Sequence, residues 1–197
     1  MRIGIEINGV LRDTLKKIQQ EYEKWYIDNP FKEETEFKYE VISDLTTLNI
    51  REHLSFPTDD DLYDFLYNEH TMEIFGHSGS VEMSTFQDFN EFYTEMRDEY
   101  DIIIVSDEIG KSKPSSLFFL SKFGCLVENY KFYSEITINS MWNSIDVLLT
   151  ANPNLLLNHP TNKQVIKFNT TYNSSVKVDY EISSMKELKN KIKEIYA

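Results

Sequence analysis

The sequence contains few groups of residues that could do chemistry as a unit. Three consecutive aspartates at residues 59–61 lack the glycine-containing turn through which calcium loops space their ligands. We interpret them as negative charge at a helix N-terminus, where the helix dipole favours it. Residues 76–79 are too short a glycine loop to cradle a phosphate, and Cys125 follows an apolar helix, where burial is expected. Four histidines lie far apart and lack the spacing of metal ligands: His53, His70, His77 and His159.

Apolar runs predict the strands that would position any site. Residues 2–7 alternate in the pattern of a strand, which Gly9 breaks. Residues 102–105 form a continuous apolar run, as expected of a strand buried on both faces of a parallel sheet. Further strands are predicted over residues 130–133, 145–149 and 164–168.

The pattern between the first two strands is mainly helical. Apolar residues recur at helical spacing over residues 11–26, and Pro30 ends that helix. Residues 31–57 show no clear period. Thr58 or Asp59 is expected to cap a short helix and Ser84 a longer one.

Helices alternate with strands after residue 100. One helix is predicted over residues 114–123 with Gly124 as its C-cap, and another opens at a capping box over residues 184–187. This alternation indicates an α/β fold with a parallel sheet. We expect an α/β core formed by residues 1–13 and 101–197, interrupted by an acidic, mainly helical insertion over residues 14–100.

Composition excludes several classes of protein. The 197 residues are 41% hydrophobic, enough to bury a core, and carry a net charge of −13. That charge disfavours nucleic acid and anionic membrane surfaces as partners. A single cysteine excludes an internal disulfide, and no apolar run reaches the ~20 residues of a membrane helix. Because Glu6 and Asn8 interrupt any signal-peptide pattern, we expect a soluble, cytoplasmic protein.

The acidic charge is concentrated in the insertion. Residues 52–99 carry 13 acidic side chains and a single basic one, Arg97. Two interpretations stay open: a solvated helical face, or a surface for a basic protein partner. Either arrangement would repel an anionic substrate that approached from this side.

The order of these features resembles the haloacid-dehalogenase-like (HAD) phosphohydrolases. A leading strand, then Gly9-Val10-Leu11, then a helical insertion is similar to that family's strand running into Asp-x-Asp-Gly-Val. Ser106 resembles the Ser or Thr that ends the second motif. Lys113 resembles the lysine at a helix start in the third motif, with Lys111 as a rival.

The second half of the chain is similar to the 5'(3')-deoxyribonucleotidase branch of that family. The similarity lies in residues 146–153 and in the Tyr-Asn turn at residues 172–173. It implies a Rossmannoid core with a parallel sheet, a cap domain after the first strand, and relatives in bacteria and their phages.

The departures from the family pattern lie at its carboxylates. Glu6 stands where the family has its aspartate nucleophile, and Asn8 where it has its general acid and base. Thr150 and Ala151 stand where a pair of aspartates would hold magnesium. An amide cannot exchange a proton near neutral pH, and neither Thr nor Ala supplies a carboxylate to the metal.

The resemblance leaves other positions able to contact a phosphorylated ligand. These are Ser106, Lys113, Asn8 and the backbone amides that begin at Gly9. A purely structural interpretation pairs Glu6 with Lys113 as an ion pair at a strand end.

We predict a catalytically degenerate HAD-like protein that binds a protein partner through residues 52–99, with no cofactor and no metal. One alternative is a magnesium-dependent 5'-nucleotidase with an atypical site in which Glu6 is nucleophile or metal ligand and other acids are recruited, namely Asp13, Asp107 or Glu108. The other is a metal-free nucleotide or phosphate sensor that uses Ser106 and Lys113.

Overall fold

Six parallel strands form one sheet in the computed structural model, which describes residues 1–28 and 47–196. The strand order is β3-β2-β1-β4-β5-β6. The strands are β1 (Arg2–Glu6), β2 (Asp101–Asp107), β3 (Tyr130–Tyr133), β4 (Val147–Thr150), β5 (Gln164–Phe168) and β6 (Glu181–Ile182). Because all run in the same direction, the carboxyl ends of β1, β2 and β4 meet at one edge of the sheet.

Seven α-helices lie within the described residues. They are α1 (Thr14–Asp28), α2 (Asp59–Asp64), α3 (Thr85–Met96), α4 (Ser112–Lys122), α5 (Ile138–Ser144), α6 (Pro153–Leu157) and α7 (Leu188–Ile195). Thr58 caps α2 through a reciprocal bond with Asp61, as the sequence indicates. Gly124, at φ +65°, follows α4 in the left-handed conformation expected of a C-cap. Gln164–Phe168 confirms the predicted fifth strand.

Helices cover both faces of the sheet, as a parallel sheet requires. Apolar residues of α3, α4 and α7 pack with Ile3 and Ile5 on one face. Residues of α5 and α6 pack with Leu148 on the other. The α/β fold with a parallel sheet, predicted from the alternation of elements, is confirmed.

A separate apolar cluster forms inside the insertion. It joins α1, residues 54–56 and two π-helical turns, Phe65–Glu69 and Met72–Gly76. Helix α3 does not belong to it, because Phe86, Phe89 and Phe92 pack in the cluster of the sheet. By its packing, α3 belongs to the layer that covers the sheet.

Two sequence predictions fall on residues outside the described part of the chain. The end of the first helix at Pro30 lies there, and so does most of the aperiodic stretch over residues 31–57. Within the described ranges, no helix combines the length and the apolar character needed to cross a bilayer.

Candidate functional site

Glu6 lies at the carboxyl end of the central strand β1 and is almost completely buried, at 2% exposure. Its Oε1 accepts a hydrogen bond of 2.8 Å from the Tyr133 hydroxyl, and its Oε2 accepts one from the Thr150 hydroxyl. Burial raises the pKa of Glu6 to about 7, and the two hydroxyl bonds only partly oppose this effect. Both oxygens of Glu6 are thus engaged by hydroxyls, and burial disfavours the ionised form of the carboxyl group.

Asn8 is also hydrogen-bonded to neighbouring side chains. Its Oδ1 accepts from Arg12 at 2.6 Å and from the Thr14 hydroxyl at 2.7 Å. Its Nδ2 donates to Ser106 Oγ at 3.3 Å. Ser106 in turn donates to Glu108 Oε1 at 3.1 Å, so both residues are used inside the protein.

The centre of this group is Arg12, which the structure buries completely, at 0% exposure. Its Nη2 donates to Asn8 and to Glu108 Oε1, which lies 2.6 Å away and is equally buried. Its Nη1 donates to Ser116 and to the carbonyl of Phe75, and its Nε donates to Thr14.

All five N–H donors of the guanidinium therefore have an acceptor within the protein. The guanidinium also lies near the rings of Phe75 and Phe119, at 5.0 and 5.4 Å from their centroids. We call this set the buried arginine network: Arg12, Asn8, Thr14, Ser106, Glu108 and Ser116.

The backbone amides that follow Asn8 point into their own turn. Gly9 N–H donates to the carbonyl of Arg12, and the amides of Leu11 and Arg12 both donate to the carbonyl of Ile7. A phosphate would have to displace these bonds to use the amides. Gly9 adopts φ +75°, a conformation that disfavours any side chain, and Tyr172 covers it.

Replacing Gly9 by alanine is expected to lower the free energy of unfolding by about 1–3 kcal/mol. The new Cβ would overlap the Tyr172 hydroxyl and lie 3.0 Å from the Cβ of Ala151, in addition to the strained φ. Gly79→Ala is the matched control, because no atom lies within 4 Å of a Cβ added there. Urea denaturation of both variants measures the difference, and equal stabilities would contradict this account of the turn.

A cavity of about 440 Å³ opens beside Glu6, between the ends of the strands and the insertion. We call it the cleft. Residues at the sheet edge line one side, and they include Glu6, Asn8 and Asp107. The first turns of α1, residues 48–50 and the two π-helical turns line the other side. The described lining residues include three carboxylates and no Lys, Arg or His: the carboxylates are Glu6, Asp13 and Asp107.

Comparison with known proteins bears on the fold. No family model and no curated protein matches the sequence. A protein described as a haloacid dehalogenase-like hydrolase from Burkholderia xenovorans LB400 superposes with a TM-score of 0.63 at 9% identity, over 100% of this chain and 98% of its own. This chain has a haloacid-dehalogenase-like fold.

Two other bacterial proteins share the HAD-like fold. A haloacid dehalogenase-like family hydrolase from Xanthomonas campestris has a TM-score of 0.56 at 8% identity, covering 99% of this chain and 95% of its own. A HAD-superfamily hydrolase of subfamily IA from Geobacter sulfurreducens PCA has a TM-score of 0.53 at 8% identity, covering 96% and 97%. At these identities the similarity establishes the fold alone.

The magnesium ion that the HAD-like resemblance implies does not fit the residues present. Thr150 donates its hydroxyl to Glu6 and accepts from the backbone N–H of Asn152, and Ala151 offers no side-chain ligand. Both oxygens of Glu6 are engaged by hydroxyls. Across the described ranges, no three His, Cys, Asp or Glu side chains come together in a way that could hold a metal ion.

The two candidate lysines lie away from the cleft. Lys113 is exposed in the first turn of α4, Lys111 precedes that helix, and neither lines the cleft. The ion pair between Glu6 and Lys113, expected on the structural interpretation, is wrong, since Glu6 is paired with two hydroxyls. Asp146 directly precedes β4, at the end of the strand away from the cleft, and is hydrogen-bonded to Arg2.

Sequence reasoning does not identify two residues of the site, Arg12 and Tyr133. It identifies Tyr172 only as part of the Tyr-Asn turn and Glu108 only as an acid that a catalytic site could recruit. The sequence carries no local signal that Arg12 is buried, since a second charged residue, Asp13, follows it directly. Nothing in the sequence indicates that Glu108, 96 positions away, is its partner.

Proposed function

We propose that this protein uses a HAD-like fold for binding and has no phosphoryl-transfer activity. The observation that carries this proposal is the state of Glu6. A nucleophile must present a free, ionised oxygen to phosphorus, whereas Glu6 is buried, has both oxygens hydrogen-bonded and has a pKa of about 7.

The environment of the second motif position supports the same proposal. Asn8 has no proton to exchange and is bonded to Arg12, Thr14 and Ser106. The positive charge nearest to it, on Arg12, is neutralised by Glu108 and has no free donor. A phosphate entering the cleft would therefore meet carboxylates, and this weakens both the nucleotidase and the phosphate-sensor alternatives.

Phosphate release tests the proposal. We expect a panel of deoxy- and ribonucleoside monophosphates to give no release above that of Glu6→Ala, with or without magnesium. A missing carboxylate or misplaced nucleophile typically costs orders of magnitude in rate, so the assay should use micromolar protein and long incubation. Magnesium-dependent turnover that is lost in Glu6→Ala would overturn the proposal.

The acidic surface offers a second binding role, to a basic protein partner. Eleven of the 13 acidic residues over 52–99 are exposed, all but Asp61 and Asp88. Such a surface would speed encounter with a basic partner, and the interaction would weaken with salt. We propose that the protein acts in a structural or regulatory role by binding a basic protein partner through this acidic surface.

A further inference from the structure

The cleft has two walls of different chemistry. The wall formed by α1 and the insertion is apolar, and its members are Leu15, Ile18, Leu48, Ile50, Leu66, Tyr67 and Phe75. Within it, the rings of Tyr67 and Phe75 stack with centroids 5.6 Å apart. The opposite wall, at the strand ends, is polar and contains the carboxylates. A volume of about 440 Å³ lies within the range of sites that bind small molecules, about 300–1,000 Å³.

The charge in the cleft is negative and largely uncompensated. Asp107 has no ion pair among the described residues, and Glu108 and Glu135 add negative charge nearby. Asp13 accepts a hydrogen bond from the backbone of Lys16, at the start of α1. Partial burial raises the pKa of Asp13 and raises that of Asp107 to about 6.

We propose that the cleft binds an organic cation with an apolar body, a protonated amine, whose ammonium group faces Asp107 on the polar wall and whose body lies against the insertion. An ammonium group would supply the positive charge that the polar wall lacks. The apolar wall and its aromatic pair would cover a hydrocarbon body.

Other ligand classes fit the cleft less well. A phosphate would add negative charge to the three carboxylates without meeting a cation among the described lining residues. A bare metal ion would leave the apolar wall without a partner, and the carboxylates do not converge as metal ligands within the described ranges. The inference rests on the proposed binding function of this site, but its test reads ligand preference and is independent of turnover.

A series of ligands with one body and different head groups tests the proposal. The probes are 2-phenylethylamine, 2-phenylethanol and 2-phenylethyl phosphate, with methylamine as the head group alone. Binding to the full chain is followed by protein NMR shifts at pH 7.5 and constant ionic strength. We expect the amine to bind roughly threefold to tenfold more tightly than the alcohol, and the phosphate and methylamine to bind most weakly.

Two matched variants locate the binding site. Asp107→Asn removes an exposed carboxylate that lines the cleft. This variant should bind the amine roughly threefold to tenfold more weakly, whereas its affinity for the alcohol should be unchanged. Asp60→Asn removes an exposed acid on α2 that does not line the cleft, and should leave both unchanged.

Three results would overturn the inference. They are tightest binding by the phosphate, equal binding of amine and alcohol, and an amine affinity that Asp107→Asn and Asp60→Asn reduce equally. Phosphate release from nucleotides without a preference for the amine would contradict both the proposed function and the amine site. If neither phosphate release nor a preference for the amine is observed, only the amine site is contradicted.

Discussion

Arg12→Met is expected to lower the free energy of unfolding by about 3–5 kcal/mol, the cost of breaking a buried ion pair by removing one partner. Glu108 would remain as a fully buried carboxylate without its cation. The carbonyl of Phe75 and the side chain of Asn8 would each lose a donor as well. Urea denaturation followed by tryptophan fluorescence measures the change.

A double-mutant cycle separates the ion pair from the rest of the buried arginine network. Glu108→Gln alone should also destabilise, because it leaves the Arg12 charge uncompensated. Combining it with Arg12→Met should cost less than the sum of the two, with a coupling energy of roughly 1–3 kcal/mol.

A second arginine pair provides the control for the cycle. Arg2 Nη2 lies 2.7 Å from Asp146 Oδ1, close to the 2.6 Å that separates Arg12 from Glu108. In contrast to the buried pair, both of these side chains are more than one-third exposed. Arg2→Met should therefore cost no more than about 1 kcal/mol. If Arg12→Met costs no more than Arg2→Met, the buried network does not stabilise this fold.

Glu6→Gln is expected to stabilise the protein above neutral pH and to have much less effect in acid. The folded state raises the pKa of Glu6 from its usual range to about 7, so it favours the protonated form. The contribution of Glu6 to stability is then fully present below about pH 4.5, is lost as pH rises to about 7, and stays constant above. The loss amounts to about 3 kcal/mol.

Gln at this position stays neutral, so its stability lacks this pH dependence. The difference in the free energy of unfolding between Glu6→Gln and the wild type should be about 2 kcal/mol larger at pH 8 than at pH 5. Asp107 contributes a change of the same sign, but it is present in both proteins and cancels. A difference that does not vary with pH would mean that Glu6 is ionised throughout, and would reopen its role as a nucleophile.

The main elements of the fold are local properties of the sequence. The strands over β1, β2 and β5 follow from short-range apolar patterns, and the caps at Thr58 and Gly124 from turn chemistry. The sequence pattern does not show which apolar cluster α3 packs in. The pattern of an amphipathic helix indicates that one face is buried, but not whether that face contacts the sheet or the insertion.

The sequence by itself determined which of the carboxylates implied by the resemblance are absent from this protein. Asn8, Thr150 and Ala151 lack a carboxylate wherever they lie in space, because that is a property of residue type. Only the tertiary structure decided what the remaining residues do instead. The parallel sheet brings β1, β2, β3 and β4 to one edge, so that Glu6 meets Tyr133 and Thr150 across more than 120 positions of sequence. The same convergence pairs Arg12 with Glu108 and places carboxylates in the lining of the cleft. Local sequence patterns do not encode these features, because burial and charge partners depend on distances in the folded chain.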